Sequence, residues 1–253
     1  NTISAEWDLD GDTFTRFGLR QKALPLFPTL RRHRIAVGLY DLVDGRLTRT
    51  DRVELDIDGE YTEVPELVGR RRPALVLPND GDLTYTKIRL DAESLATLVE
   101  HIDKLDSSLT RALAWGATWD LCRDGQMSSD DYVALVLRGI AVEDDLTAVS
   151  ALLAQSRLAI DYYTPEANRH ALGDRFTAGL VRLLKDAAPG SDHQLAFARA
   201  LSTSIRDDDG AEVLKAWLAG EEVPEGLAVD TDLRWRLVTD LARIGAIGDD
   251  VIA

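Results

Sequence analysis

The sequence predicts a mainly α-helical protein, with a small N-terminal β-sandwich over residues 1–90 and an all-α domain over residues 91–253. Two periodic patterns of apolar residues support this prediction. As far as Leu90, apolar side chains tend to alternate with polar ones, which is the pattern of strands with one buried face. Beyond Leu90 they recur every three to four positions, which is the spacing of an amphipathic helix.

Several short strands are separated by residues that favour turns. Alternating runs predict strands that start at Leu47 and that cover residues 13–19, 34–40, 51–57, 61–64 and 83–90. Asp44-Gly45 and Asp58-Gly59 each fall between two runs, and Asp-Gly is a strong signal for a hairpin turn. Short strands at this spacing are typical of a small sandwich.

Capping residues precede the apolar stripes of the helical part. Helices are predicted to start at Asp91, Ser107, Ser128-Ser129, Glu143-Asp144-Asp145 and Pro165, and to cover residues 191–206, 211–218 and 231–244. Helices of similar length joined by short turns favour a superhelical stack of antiparallel helix pairs, as in HEAT or armadillo repeats.

The charge of the chain disfavours two classes of partner. Lys and Arg number 29 against 44 Asp and Glu, so the formal net charge is −15. Nucleic acids and anionic membrane surfaces would repel such a protein, and neither is predicted as a partner. No apolar run reaches the roughly 18 residues that a membrane helix needs.

The single cysteine and the first residue suggest where the chain comes from. Cys122 has no second cysteine to pair with, so a reducing cytoplasm is predicted. Its place in a helical stretch favours a buried structural thiol over a nucleophile. The chain starts at Asn1 rather than at a methionine, and we expect it to be a fragment of a larger protein.

No catalytic, cofactor-binding or metal-binding residue is predicted in the chain. Residues 8–12 resemble the start of a calcium loop, but Leu19 stands where the bidentate Glu belongs, so a polar turn is favoured. Phosphate-binding glycine loops and nucleophile elbows do not occur in the sequence either. The histidines are isolated from one another and outside any zinc motif: His33, His101, His170 and His193.

Charged clusters have two interpretations each. The acidic runs at residues 143–145 and 207–209 could bind a cation or a basic peptide, although the dipole at a helix N-terminus already favours carboxylates there. The basic runs at residues 31–34 and 70–72 could form a domain interface, or they could pair with local carboxylates in a protein this acidic.

Particular strings resemble a known family. Residues 30–41 (LRRHRIAVGLYD), 53–55 (VEL) and 64–67 (VPEL) resemble the small β-sandwich of actinobacterial aminopeptidase N. Residues 77–91 (LPNDGDLTYTKIRLD) are similar to its junction between sandwich and helical domain. Further segments resemble successive pieces of its C-terminal helical domain, in the same order along the chain: 111–117, 131–135 and 226–236.

The resemblance implies a zinc aminopeptidase whose catalytic domain is not in this chain. Such enzymes remove N-terminal residues from peptides, with a His-Glu-x-x-His helix for zinc and a Gly-x-Met-x-Asn loop for the substrate amine. Neither motif occurs here, and Met127 lies between Gln126 and Ser128. The resemblance therefore implies an inactive C-terminal region whose partners are its own N-terminal catalytic domain and the peptide substrates.

In that family the helical domain covers the active site and controls peptide access, so a polar, acidic lining is expected on one concave helical face. Two other functions stay open from the residues alone. One is a stand-alone helical-repeat scaffold that binds peptides or proteins. The other is an independent hydrolase that uses a pair of carboxylates, although no such pair can be recognised in the sequence.

Overall fold

The structure is a computed structural model that describes residues 1–248. The chain divides into two compact units, Asn1–Gly139 and Ile140–Ala253. A small β region made of two sheets comes first, and eight α-helices follow it within the described residues. The predicted fold class is therefore confirmed. Strand gives way to helix between Arg89 and Ala92, close to the predicted domain boundary. The domain bounds themselves stay a prediction, because the compact units divide at Gly139.

Seven strands form the β region of the first unit. Their bounds are β1 (Thr2–Asp10), β2 (Thr13–Lys22), β3 (His33–Val43), β4 (Arg46–Ile57), β5 (Tyr61–Glu63), β6 (Leu75–Pro78) and β7 (Lys87–Arg89). One sheet has the order β5-β2-β1-β7, and the other has the order β4-β3-β6. Only the β1–β7 pair is parallel among the described strand pairs.

Both sheets contribute to one hydrophobic core. Ile3 and Phe17 of the first sheet belong to the same buried cluster as Ile35 and Val37 of the second. Trp7 stacks on Phe17 at a centroid distance of 5.6 Å. Inward-facing residues of two sheets that share a core define a sandwich, as the alternating pattern predicted.

The two Asp-Gly turns serve different purposes. Asp44 and Gly45 have φ values of 49° and 77°, as a tight hairpin requires, and they join the paired strands β3 and β4. Asp58-Gly59 also forms a turn, but β5 pairs with β2 and not with β4. The prediction of a second hairpin is therefore wrong. Gln21 in β2 explains this, because its side chain donates to the Gly59 carbonyl at 2.9 Å and draws the turn to the other sheet.

Three strand predictions need correction. Strand β1 was not predicted, although Ile3, Ala5, Trp7 and Leu9 alternate with polar residues. Strand β6 was missed because its four residues are all buried and show no alternation. The strand predicted over residues 83–90 is only the short β7.

Residues 79–86 form a loop instead, because the Asn79 side chain bonds to their backbone. Asn79 Nδ2 donates to the Thr84 carbonyl at 2.9 Å, and Asn79 Oδ1 accepts from the Thr84 amide at 3.2 Å. These bonds use backbone groups that a strand would pair with its neighbours.

Three helices complete the first unit: α1 (Ala92–His101), α2 (Ser108–Arg123) and α3 (Ser129–Gly139). Each begins at a capping residue that the sequence predicted. Asp91 accepts from the amides of Glu93 and Ser94, and Ser107 accepts from the amide of Thr110. Ser128 Oγ accepts from the Asp131 amide at 3.0 Å. These bonds satisfy N–H groups that have no partner inside the helix.

The second unit contains five helices among its described residues: α4 (Leu146–Leu158), α5 (Glu166–Asp186), α6 (Asp192–Ser204), α7 (Asp208–Ala219) and α8 (Thr231–Arg243). A π-helical turn, Ala159–Tyr163, follows α4 directly. Pro165 immediately precedes α5, close to the predicted first turn. Stacking of the helices into a superhelix stays a prediction. Over residues 1–248, no helix is both long and apolar enough to cross a membrane.

Candidate functional site

Two loops of the first unit expose large apolar side chains. Residues 23–32 join β2 to β3, and residues 79–86 join β6 to β7; we call these segments the Asn1 loops, because both of them contact Asn1. Asn1 Nδ2 donates to the Thr29 carbonyl at 2.9 Å, and Thr86 Oγ1 donates to the Asn1 carbonyl at 2.9 Å. Their exposed residues, with the exposed fraction of each, are Leu24 (70%), Leu26 (86%), Phe27 (73%) and Tyr85 (102%).

A buried carboxylate anchors the loop that carries Tyr85. Asp80 is fully buried, and its Oδ1 accepts a hydrogen bond of 2.5 Å from the Tyr40 hydroxyl. Arg49 donates to Asp80 Oδ2 at 2.9 Å, and Arg52 lies 3.4 Å from the same oxygen. Burial, with the hydrogen bond to Asp80, raises the pKa of Tyr40 to about 12. The base of this loop is therefore fixed, while Tyr85 stands in solvent.

A cavity of about 480 Å³ lies within the second unit. Four arginines line it: Arg157 of α4, Arg199 of α6, Arg206 just after α6, and Arg236 of α8. Asp192 is the acidic residue in the lining. The other lining residues are apolar or small: Leu146, Ser150, Leu153, Ala154, Ile160, Gly173, Phe176, Leu195, Ala196, Ala200, Thr203 and Ser204.

The arginines of the cavity are only partly neutralised. Arg157 and Arg206 share one carboxylate, Asp161, at 3.4 Å and 2.8 Å. Burial lowers the pKa of Arg157, and the nearby cations Arg243 and Arg206 lower it further, against the opposing effects of Asp161 and Asp240. Two guanidinium groups on one carboxylate leave the cavity with an excess of positive charge.

Arg236 adds to that excess, whereas Arg199 is paired. Arg199 pairs with Asp232 at 2.5 Å, yet its Nε is buried without a hydrogen-bond partner. Arg236 is exposed, and none of the ion pairs within residues 1–248 includes it. The cavity lining therefore differs from the acidic surface expected on a concave helical face, which stays a prediction.

These four arginines could not be predicted as a group from the sequence, because they share no motif and are far apart along the chain. The exposed residues of the first Asn1 loop did have a signal. Leu26 and Phe27 lie between Pro25 and Pro28, and Leu24 directly precedes Pro25, in a segment with no strand or helix period.

The histidines do not fit a zinc site. Their ring nitrogens contact different groups: Thr84 for His33, Glu100 for His101, Asp174 for His170, and the Glu143 carbonyl for His193. Throughout residues 1–248, no group of three or more His, Cys, Asp or Glu side chains could hold a metal ion. The described residues thus lack the donor set that zinc needs.

The acidic runs mark helix N-termini. Asp145 caps α4 by accepting from the Thr147 amide, and Asp207 caps α7 by accepting from the Gly210 amide. Asp8 does not ligate a cation but pairs with Arg16 at 2.7 Å, while Gly11 and Asp12 form the turn between β1 and β2. Capping and pairing account for these carboxylates, as the simpler interpretation predicted.

The basic runs pair with local carboxylates, which supports the local interpretation over a domain interface. Arg32 and Arg34 contact Asp58 and Glu54, each at 2.8 Å. The second run contacts Asp51, Asp41 and Asp91 through Arg70, Arg71 and Arg72 respectively.

Cys122 is buried on α2, and burial raises the pKa of its thiol. The predicted burial is therefore confirmed, and a protonated, inaccessible thiol is a poor nucleophile, which favours the interpretation as a structural cysteine.

Comparison with known proteins gives two matches. Residues 75–253 match the family model of the ERAP1-like C-terminal domain. The whole chain is 48% identical, over 261 aligned residues, to Aminopeptidase N from Streptomyces lividans. That alignment covers 100% of this chain but only 30% of the Streptomyces protein, so the chain spans less than a third of its relative's length.

Proposed function

Because the chain belongs to the ERAP1-like C-terminal domain family, we propose that it is the noncatalytic C-terminal region of a zinc-dependent aminopeptidase. The parent enzyme removes N-terminal residues from peptides in the cytoplasm. The observation that carries this proposal is the 48% identity to Aminopeptidase N, which extends over the whole chain. An identity this high over both the β region and the helices supports a shared role for the entire segment.

The catalytic chemistry belongs to another part of the parent. Zinc bound there would polarise the scissile carbonyl and activate a water molecule. Residues 1–248 contain no group of side chains that could hold zinc. We assign them the role of contacting the catalytic domain and enclosing its active site. We place the catalytic domain and the peptide substrates among the partners of this chain.

The Asn1 loops are the proposed contact with the catalytic domain. Contiguous exposed apolar residues mark interaction sites, and Leu24, Leu26 and Phe27 are exposed within four consecutive residues. Leu26 and Phe27 lie at the tip of a connection between two strands of the sandwich, and Tyr85 lies on a loop whose base is fixed by Asp80. A loop with a fixed base, such as the one that carries Tyr85, loses less conformational entropy when it binds.

The helices then cover the active site and limit which peptides reach it. This role is tested by comparing the complete parent with a parent that lacks residues 91–253. We expect the complete enzyme to cleave short peptides and to leave a folded protein with an accessible N-terminus intact. The truncated enzyme should lose this discrimination. Unchanged discrimination in a truncated enzyme that still cleaves short peptides would contradict the proposed control of access.

A further inference from the structure

We propose that the cavity of the second unit binds a small organic carboxylate with an apolar body. The inference rests on the lining of this cavity alone, and it does not depend on the aminopeptidase proposal. It assigns a ligand to residues that the proposed enclosing role leaves unused.

The size and walls of the cavity suit a small molecule. Its volume of about 480 Å³ lies in the range of ligand pockets, which is roughly 300–1,000 Å³. Leu146 and Leu153 of α4, Phe176 of α5 and Leu195 of α6 provide apolar walls on three different helices. An alkyl or aryl group in this space would be removed from water, and that burial favours binding.

The charged groups of the cavity select an anion. The lining contains four arginines but only one carboxylate, that of Asp192. Asp161 and Asp232 compensate part of this charge from behind the lining, since they pair with Arg157, Arg206 and Arg199. Guanidinium groups bind carboxylates with two parallel hydrogen bonds, so a carboxylate head fits this excess best.

One arginine of the lining remains free for such a head group. Arg236 is exposed, and it has no ion-pair partner within residues 1–248. A ligand carboxylate would pair with it. Arg199 also lines the cavity, where its guanidinium group pairs with Asp232 at 2.5 Å. In a chain with a net charge of −15, such a basic cavity stands apart from the rest of the surface.

Isothermal titration calorimetry of the 253-residue chain with 4-phenylbutanoate tests the proposal. The neutral 4-phenylbutanamide has the same body without the charge. We expect the acid to bind with a dissociation constant on the order of 1 mM, and about tenfold more tightly than the amide. Equal binding of acid and amide would overturn the proposal, and so would the absence of any saturable heat.

Two substitutions locate the binding. Arg199→Gln and Arg236→Gln should each weaken binding of the acid about tenfold, while the control Arg182→Gln on the exposed side of α5 should leave it unchanged. Circular dichroism melting shows whether each variant folds. Arg236 is exposed and has no ion-pair partner within residues 1–248, so we expect Arg236→Gln to fold even if Arg199→Gln does not. Unchanged binding by a folded Arg236→Gln variant would contradict the assignment.

A third arm distinguishes the source of the carboxylate. A tripeptide acid that ends in phenylalanine carries the same head group and a similar apolar body. We expect it to bind no more tightly than 4-phenylbutanoate, because the cavity is sized for a small molecule. Much tighter binding of the peptide acid would overturn the proposal of a small ligand.

Discussion

The Tyr40 hydroxyl donates a hydrogen bond of 2.5 Å to Oδ1 of Asp80, and both residues are buried. This contact joins strand β3 to the start of the loop that carries Tyr85. A buried carboxylate is tolerated only when its oxygens have partners, and Arg49 supplies the second one at 2.9 Å. The contact therefore links the stability of the sandwich to the position of one Asn1 loop.

Replacing Tyr40 by phenylalanine should destabilise the chain by about 1–3 kcal/mol, because the buried Asp80 loses a hydrogen-bond donor. Urea denaturation followed by circular dichroism measures the free energy of unfolding. Tyr85→Phe is the matched control, since the Tyr85 ring is exposed and its change should be within about 0.5 kcal/mol. Equal effects of the two substitutions would contradict the proposed anchor.

The raised pKa of Tyr40 implies that the stability of the chain depends on pH in the alkaline range. Its pKa is raised from 10.0 to about 12 in the folded protein, so folding favours the protonated hydroxyl. The resulting stabilisation is fully present below pH 10 and is lost as the pH rises through about 12. We expect the difference in unfolding free energy between the wild-type chain and Tyr40→Phe to shrink over this window. A constant or growing difference would show that Tyr40 does not titrate as described.

Two helical glycines in the first unit should respond in opposite ways to alanine. Gly116 on α2 is exposed, and an added Cβ would meet nothing within 4 Å. Gly116→Ala should therefore stabilise the chain by about 0.5–1 kcal/mol through helix propensity.

At Gly139 on α3 the Cβ would lie 2.6 Å from Ile102 Cγ2 and 2.8 Å from Trp115 Cη2. Gly139→Ala should destabilise by about 1–3 kcal/mol because the packing must shift. Thermal melting of both variants measures these effects: the melting temperature should rise for Gly116→Ala and fall for Gly139→Ala. Melting shifts of the same sign would show that this part of the helical packing is described wrongly.

Substitutions in the first Asn1 loop should affect the parent enzyme more than the isolated chain. Leu26→Ser and Phe27→Ser remove exposed apolar side chains, so the unfolding free energy of the chain alone should change by less than about 0.5 kcal/mol. In the complete parent, the loss of an apolar contact with the catalytic domain should lower the melting temperature and kcat/KM. Leu109→Ser on α2 is the control, because Leu109 is 50% exposed but lies outside the Asn1 loops, and it should leave the parent unchanged. If Leu26→Ser and Phe27→Ser leave both the melting temperature and kcat/KM of the parent unchanged, the proposed contact loses its support.

Local signals in the sequence were sufficient for the helices. Asp91, Ser107, Ser128 and Asp145 were predicted as helix starts, and each accepts from an amide of the first turn. Capping depends on a few neighbouring residues, so a linear sequence contains it. The resemblance to aminopeptidase N, drawn from short collinear strings, is also confirmed by the comparisons.

Long-range contacts set the limit of the prediction. Strand β5 pairs with β2 because Gln21 bonds to the Gly59 carbonyl, and nothing near Asp58-Gly59 indicates that partner. Residues 83–86 alternate like a strand, but the Asn79 side chain takes their backbone bonds. The arginines of the cavity come from three helices and from the connection after α6, so they meet only once the second unit has folded.

The central claim is that the zinc-dependent cleavage takes place in a part of the parent outside this chain. Hydrolysis of leucine p-nitroanilide in the presence of zinc, by equal molar amounts of the 253-residue chain and the complete parent, tests it most directly. We expect activity from the parent, which a chelator abolishes, and no hydrolysis above background from the chain. Turnover by the purified chain, or an inactive parent with zinc bound, would contradict the account.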